Sequence, residues 1–374
     1  MVYCMPLDRR SLRIIAFRGL TLTFTLIVVV ILTAIIVGAT GYDEVILRAV
    51  INEQVRAYRE ELSRPGSQVS PEERERMVRE YRDTLVRVYG LDKPWYIRSL
   101  SNVPRLVTLD LYVTQEEVAG VLGLRRPLKV GDAIAVALPR TIIMITLAYV
   151  ISAFISVPIG PYIAYKRGSV FDKSVIVYAA ITNAFPVWWI AMLSIFIFGF
   201  YLGLAPTSYR PIIAQISKLS DAIYSLNITN IILTFKDILY YSYLPILVVT
   251  FSLLGAWLYS ARAVAIRVVS EDYVAAARAK GLSESTIVRK YILRVIAGPI
   301  LTFVILGLAG SIGGYIITET VFDWPGMGLL YYVAIYTGDS PTILALVYVT
   351  TLVYIIARFI LEVLYVILDP RVKL

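Results

Sequence analysis

The sequence predicts an all-α membrane protein: six transmembrane helices, with an enlarged external segment between the first two. Two observations predict it. Six stretches without a charged residue are each long enough to cross a bilayer, and Lys and Arg gather in alternate connections between them. A helix needs about 20 apolar residues to span hydrocarbon, because every backbone polar group must be satisfied within the segment. Bulk composition agrees. The chain is 58% hydrophobic and 17% charged, with a mean hydropathy of +0.72, whereas soluble domains carry about 25% charged residues.

The first run covers 19–42, after a basic N-terminal stretch, 1–18, that holds Arg9, Arg10, Arg13 and Arg18. It is too long for the apolar part of a signal peptide and lacks a small-residue cleavage site, so it reads as an uncleaved span. The second run is 141–165. The third, 174–209, is uncharged for 36 residues and reads as one span plus a loop from about Leu202. The fourth and fifth are 238–261 and 295–318. The last, 340–357, keeps its apolar pattern past Arg358 to Leu368. Arg358 and Glu362, four apart near its inner end, are spaced for an i,i+4 ion pair or for snorkelling rather than for a substrate site.

Orientation follows from charge. Segment 43–132 holds 15 basic and 15 acidic residues, so the net +9 lies in the rest of the chain. The first 18 residues carry a net +3, loop 166–173 a net +2 and loop 262–294 a net +4, while the connection between the last two spans offers only Glu319, Asp323 and Asp339. Basic loops stay on the cytoplasmic side, which places both termini there in a multi-pass protein of the cell membrane. The basic balance therefore reflects topology and gives no reason to expect nucleic acid as a partner. With no His and Cys4 alone, a His-based relay or metal site and an intrachain disulfide are excluded.

Within the external segment, Ser70-Pro71-Glu72-Glu73 reads as a helix start, with Ser70 as N-cap, Pro71 at the first position and Glu73 closing a capping box. The helix should run to about Tyr89, stop at Gly90 and expose its Arg and Glu residues. Asn227-Ile228-Thr229 in the second external loop matches a glycosylation triplet.

Loop 262–294, between spans four and five, is the most informative stretch. It reads as a helix of small residues from Asp272, a stop at Gly281 suited to left-handed geometry, and a second helix capped by Ser283. Ala275, Ala276, Ala277 and Ala279 allow another surface to approach closely, and Arg278 and Lys280 could meet acidic groups on it.

This loop resembles the signature of the permeases of ABC importers, in the form of the dipeptide/oligopeptide (nickel) branch. Asp272-Tyr273-Val274 and Ala277-Arg278-Ala279-Lys280-Gly281-Leu282 carry the resemblance. It extends to Gly90-Leu91-Asp92-Lys93-Pro94, Leu138-Pro139 with Thr141, Pro158-Ile159-Gly160, Phe185-Pro186 with Trp188, Glu319-Thr320-Val321-Phe322 with Trp324-Pro325-Gly326-Met327-Gly328, and the tail Leu368-Asp369-Pro370-Arg371. The general signature's Glu falls here on Ala275, and its later Leu-Pro on Leu293-Arg294. A further external element appears as Leu109-Asp110-Leu111-Tyr112, without the family's glycines.

The resemblance implies a permease domain over 133–370 with a short tail, 371–374. It implies a heterodimer with a second related permease, two ABC ATPase subunits and an extracellular substrate-binding protein. No cofactor is expected on this chain, which has no GxxxxGK[ST] loop; ATP and Mg would sit on the ATPases, so the chain is not itself an enzyme. Asp272, Tyr273, Ala276, Ala277, Arg278, Ala279, Lys280, Gly281, Leu282 and Ser283 are the expected ATPase-docking residues. Thr182, Asn183 and Ser194 in span three, with Thr318 and Glu319 at the end of span five, are candidates for the passage because polar groups at membrane depth are often functional. Hydrogen bonding between helices is their plainer reading. Peptides are the implied cargo. Oligosaccharides or nickel would use the same machine, and an ion-coupled carrier or a membrane receptor is the competing class.

Overall fold

The structure is a computed structural model and describes residues 9–63, 70–101, 103–104, 114, 116–125, 128–311 and 315–368. Its described elements are almost all helical. Five helices are long and apolar enough to cross a membrane, or six when a helix pair bent by 92° is counted as one span. The first is α1 (Arg9–Ala39), which already includes the ten arginine-rich residues ahead of the apolar run, arginine being a good helix former. It ends where Gly41, at φ 65°, turns the chain into α2 (Tyr42–Leu62).

The α2 helix and α3 (Pro71–Val88) form a hairpin. Ser70 Oγ accepts from the Glu73 amide, Pro71 opens the helix, and Gly90 at φ 70° closes it, with the Leu91 amide on the Val86 carbonyl. The charged surface expected of α3 is only half of it. Val78 and Leu85 are buried, Tyr81 meets the Tyr58 ring at 4.4 Å, and Gln54 donates to the Tyr89 hydroxyl. Positions 78, 81 and 85 share one face at helical spacing. Arg76–Glu80 is an i,i+4 pair, and Arg59–Glu75 bridges the two helices. The short helices α4 (Trp95–Ser101) and α5 (Glu116–Val121) follow. The Leu109-Asp110-Leu111-Tyr112 element lies outside the described residues.

The second crossing is α6 (Val130–Tyr165) and the fourth is α10 (Ile228–Val269). They form the central pair of the bundle. At about 1.5 Å per residue, α10 is about 63 Å long, twice the roughly 30 Å hydrocarbon thickness, so it projects well beyond the bilayer. Its N-cap is Asn227, whose side chain accepts from the Asn230 amide; the triplet at 227–229 thus has a structural role.

The third run does not form one straight span. It is divided into α7 (Val170–Ala184) and α8 (Val187–Ser194), which continues as a π-helical segment over Ile195–Tyr201; the two parts meet at 92°. Pro186 causes the break. The residue before a proline is pushed out of the α region, and Phe185 sits at φ −105°, ψ 130°. Next, α9 (Ile212–Tyr224) folds back along α10.

In loop 270–286, α11 (Asp272–Ala279) and the single turn α12 (Glu284–Thr286) precede a π-helical stretch that runs into the fifth crossing, α13 (Leu293–Ser311). The fifth apolar run is also divided. Span five stops at Ser311, and a separate helix, α14 (Ile316–Phe322), holds Thr318 and Glu319. Helix α15 (Met327–Thr337) and the sixth crossing, α16 (Ser340–Leu368), complete the chain. In α16, Arg358 donates to Glu362, and Arg18 of α1 lies 3.9 Å from the same carboxylate.

Connectivity gives the bundle two ends. The arm end carries the α2–α3 hairpin, the α9 turn and α14–α15. The loop end carries loops 166–169 and 270–286.

Candidate functional site

At the loop end, α11 presents two faces. Val274 and Ala277 are buried against Ile287, Val288 and Ile292, all within a cluster that includes Ala164 of α6 and Ala261, Ala265 and Val268 of α10. The opposite face exposes Asp272, Tyr273, Ala276, Ala279 and Lys280. Gly281, at φ 73°, ends the helix, and its amide reaches the Arg278 carbonyl. Ser283 Oγ then accepts from the Thr286 amide and restarts the chain as helix. Of the ten residues expected to dock a partner, Ala277 is turned inward and Leu282 is half-buried; these two hold the loop to the bundle.

The loop is tied to two spans by polar contacts. Lys166 at the end of α6 lies 3.1 Å from Glu284, and Arg278 sits over the Tyr165 ring at 4.5 Å. Ten residues before α11, Arg262 grips Asp172 in the first turn of α7 with two bonds, one of them Nη2 to Oδ2 at 3.0 Å. Gly168 adds its amide to the same oxygen at 2.8 Å, and Ser169 caps α7. Only 12% of the Arg262 side chain and 3% of that of Asp172 are exposed. Beside this pair Gly160 touches α10 so closely that a Cβ would lie 2.5 Å from that of Ala261, and Gly255 meets α7 at Ala179 and Thr182 in the same way. The loop-end parts of α6, α7 and α10 therefore form one packed block with loop 270–286.

The residues expected along the passage are not brought together. Thr182 bonds to the Tyr178 and Ala179 carbonyls and packs against Gly255 of α10, while Asn183 donates to the Ala179 carbonyl of its own helix and is exposed. Ser194 lies beyond the bend in α8. Thr318 and Glu319 are buried at the arm end. Glu319 accepts from Thr141 Oγ1 and from the Gly328 amide, while Thr141 accepts from the Met327 amide. The carboxyl group thus caps α15 and ties α14 to α6. Neither Gly326 nor Gly328 has room for a Cβ beside it. Burial raises the Glu319 pKa from its usual range to about 7, with the amide and hydroxyl donors holding it back from going higher. Tyr209, Ser208 and Arg210 close over the other side of α14, through the Phe322 carbonyl and Asp323.

A candidate wall for the passage lies elsewhere, in a cavity of about 160 Å³ between α6, α10 and α13, lined by Tyr149, Ser156, Trp257, Ser260, Phe303 and Gly307 among others. Sequence reasoning took the polar residues of span three and passed over Ser156 and Ser260. They are hydroxyls inside the charge-free runs of spans two and four, the same signal that singled out Ser194.

A bundle of five to six apolar crossings with a cavity between its central helices is the architecture of an all-α membrane permease. Residues 156–374 match the family of binding-protein-dependent transport system inner membrane components, and the chain belongs to that family of ABC-importer permeases. It is similar to an oligopeptide transport system permease protein of Bacillus subtilis, 26% identical over 292 residues, 78% of this chain and 85% of the relative. A dipeptide transport system permease of Escherichia coli is 25% identical over 299 residues, 77% of this chain and 84% of the relative. A di/tripeptide permease of Pseudomonas aeruginosa is 28% identical over 286 residues, 76% and 82% of the two chains.

Proposed function

We propose that this chain forms half of the passage of an ATP-driven importer for peptides, paired with a second related permease and fed by an external binding protein. The loop end faces the cytoplasm, with both termini, and the arm end faces outward. The sign of the loop charges supports this orientation, and the names of the relatives support the cargo. ATP and Mg sit on two separate ATPase subunits. No chemical step occurs on this chain.

The two-faced α11 carries the reading. Its buried face makes it part of the α6–α7–α10 block, and its open face sets the small side chains of Ala275, Ala276 and Ala279 between Tyr273 and Lys280, which leaves room for an ATPase groove to approach. Nucleotide shifts the permease between states only if it binds the ATPases better in one of them; a loop rigidly joined to three spans carries that difference into the membrane. The site is tested by thiol cross-linking in a Cys4→Ser background. Ala276→Cys should cross-link to an ATPase subunit, and Ala277→Cys, facing the other way, should not. Equal cross-linking at both positions, or none at either, would sink the docking assignment.

A further inference from the structure

We propose that Tyr149 is the residue with which this chain closes its half of the passage, and that Ser260 is the hydroxyl the cargo meets on the loop-end side of it; Ser156 lines the same cavity with its hydroxyl given to the Ser152 carbonyl. The inference deepens the transport reading above and rests on it. Three observations carry it.

The first is the cavity itself. It is walled by α6, α10 and α13, and Ser156, Ala261 and Ile300 place it towards the loop end of those helices. No charged side chain is among its lining residues. Such a wall offers hydroxyls and aromatic faces to a cargo without holding it by charge.

The second is how the cavity ends. Tyr149 is almost wholly buried. Its ring meets that of Trp257 edge-on at 5.5 Å, and Tyr315 packs against the same cluster. Towards the arm end from Tyr149, the cluster continues as Met144, Ile145, Ala148, Val248 and Val249, all buried. The cavity therefore stops at the Tyr149 ring.

The third is Gly307. A Cβ there would lie 2.7 Å from Tyr149 Cε1, a distance that real side chains do not tolerate. Only a residue without a side chain lets α13 close against the ring. A seal formed by one ring on one glycine opens when the Gly307 part of α13 moves away from α6, while the loop end of α13, through Ile296 and Ile300, stays packed in the cluster that holds α6 and α10.

The test uses the complete complex of this permease, its partner permease and the ATPases in proteoliposomes, with Cys4→Ser and Ser260→Cys in this chain. Ser260 lies one turn from Trp257 towards the loop end. The probe is a membrane-impermeant methanethiosulfonate reagent, applied from either side without nucleotide. The thiol should react from the loop side and resist reagent from the arm side. Adding Tyr149→Ala should raise the arm-side rate by about tenfold or more, while Tyr149→Phe, which keeps the ring, should leave it low. Should Tyr149→Ala fail to assemble, Gly307→Ala tests the same seal, because the added methyl must displace the ring and the arm-side rate should rise. An arm-side rate unchanged in these variants, or equal in Tyr149→Ala and Tyr149→Phe, overturns the proposal. Labelling requires no cargo, so failure of peptide uptake would strike the transport reading and leave this result standing on its own.

Discussion

Two residues at opposite ends of the bundle, Arg262 and Glu319, decide most about how it holds together. Arg262 and Asp172 are a buried, doubly bonded pair, and removing one partner of such a pair costs about 3–5 kcal/mol because the other charge is left unpaired. Arg262→Met should therefore lower the melting temperature of the purified complex and uncouple ATP hydrolysis from uptake. Adding Asp172→Asn should recover part of the stability. If the double variant is no more stable than Arg262→Met, the pair is not the strut described here. Glu319 responds to pH. Its folded-state pKa, about 7, lies above the usual carboxylate value, so the folded state holds its proton more tightly than the unfolded chain does. The stability this gives is complete below about pH 4, the range of an unperturbed carboxyl, and is lost as pH rises through about 7. Thermal stability should fall over that interval, and Glu319→Gln, which keeps an acceptor for the Gly328 amide, should flatten the fall. A profile identical in the variant would show that another group sets it.

Among the elements, the coupling loop depends most on one backbone position. Gly281 sits at φ 73°, which costs other residues about 1 kcal/mol or more, and it sets the angle between α11 and the capped turn at Ser283. Gly281→Asp should abolish transport while membrane insertion, read by protease protection of the arm-end loops, stays intact; loss of insertion would assign the glycine to folding alone. This loop was legible almost residue by residue, because caps and left-handed glycines are local signals that need no tertiary partner. The α3 start at Ser70 and stop at Gly90 were legible for the same reason. The break at Phe185-Pro186 was written in the sequence too, but the unbroken apolar run around it hid the 92° bend. Hydropathy reports length in hydrocarbon and says nothing of direction. Ala277 shows a further limit. In a run of alanines, composition cannot tell the face that packs inward from the face left open; that choice is made by Ile287, Val288 and Ile292, ten or more residues away. The passage was the least legible part. A hydroxyl in a span reads alike whether it bonds to its own helix, as Thr182 does, or lines a cavity, as Ser260 does, and only the packing of α6 against α10 and α13 separates them.

At the scale of the whole molecule, three layers stand in order along the bundle. The coupling loop and the loop-end parts of α6, α7 and α10 form a block stapled by Asp172–Arg262 and the close contacts at Gly160 and Gly255. Above it lies the cavity, closed by Tyr149 on Gly307. Beyond that, α14 is clamped by Thr141 and Glu319 on one side and by Tyr209 and Arg210 on the other. An import stroke driven at the loop must move the first layer relative to the Gly307 part of α13 to open the second, and must release the third for cargo to enter. The central claim, that this order of parts is the passage of an ATP-driven peptide importer, is tested most directly in proteoliposomes holding this chain, its partner permease, the ATPases and the binding protein. Peptide uptake should require ATP, and peptide-loaded binding protein should stimulate hydrolysis where sugar or nickel does not. Uptake by this chain alone, driven by an ion gradient without ATPases, would contradict it.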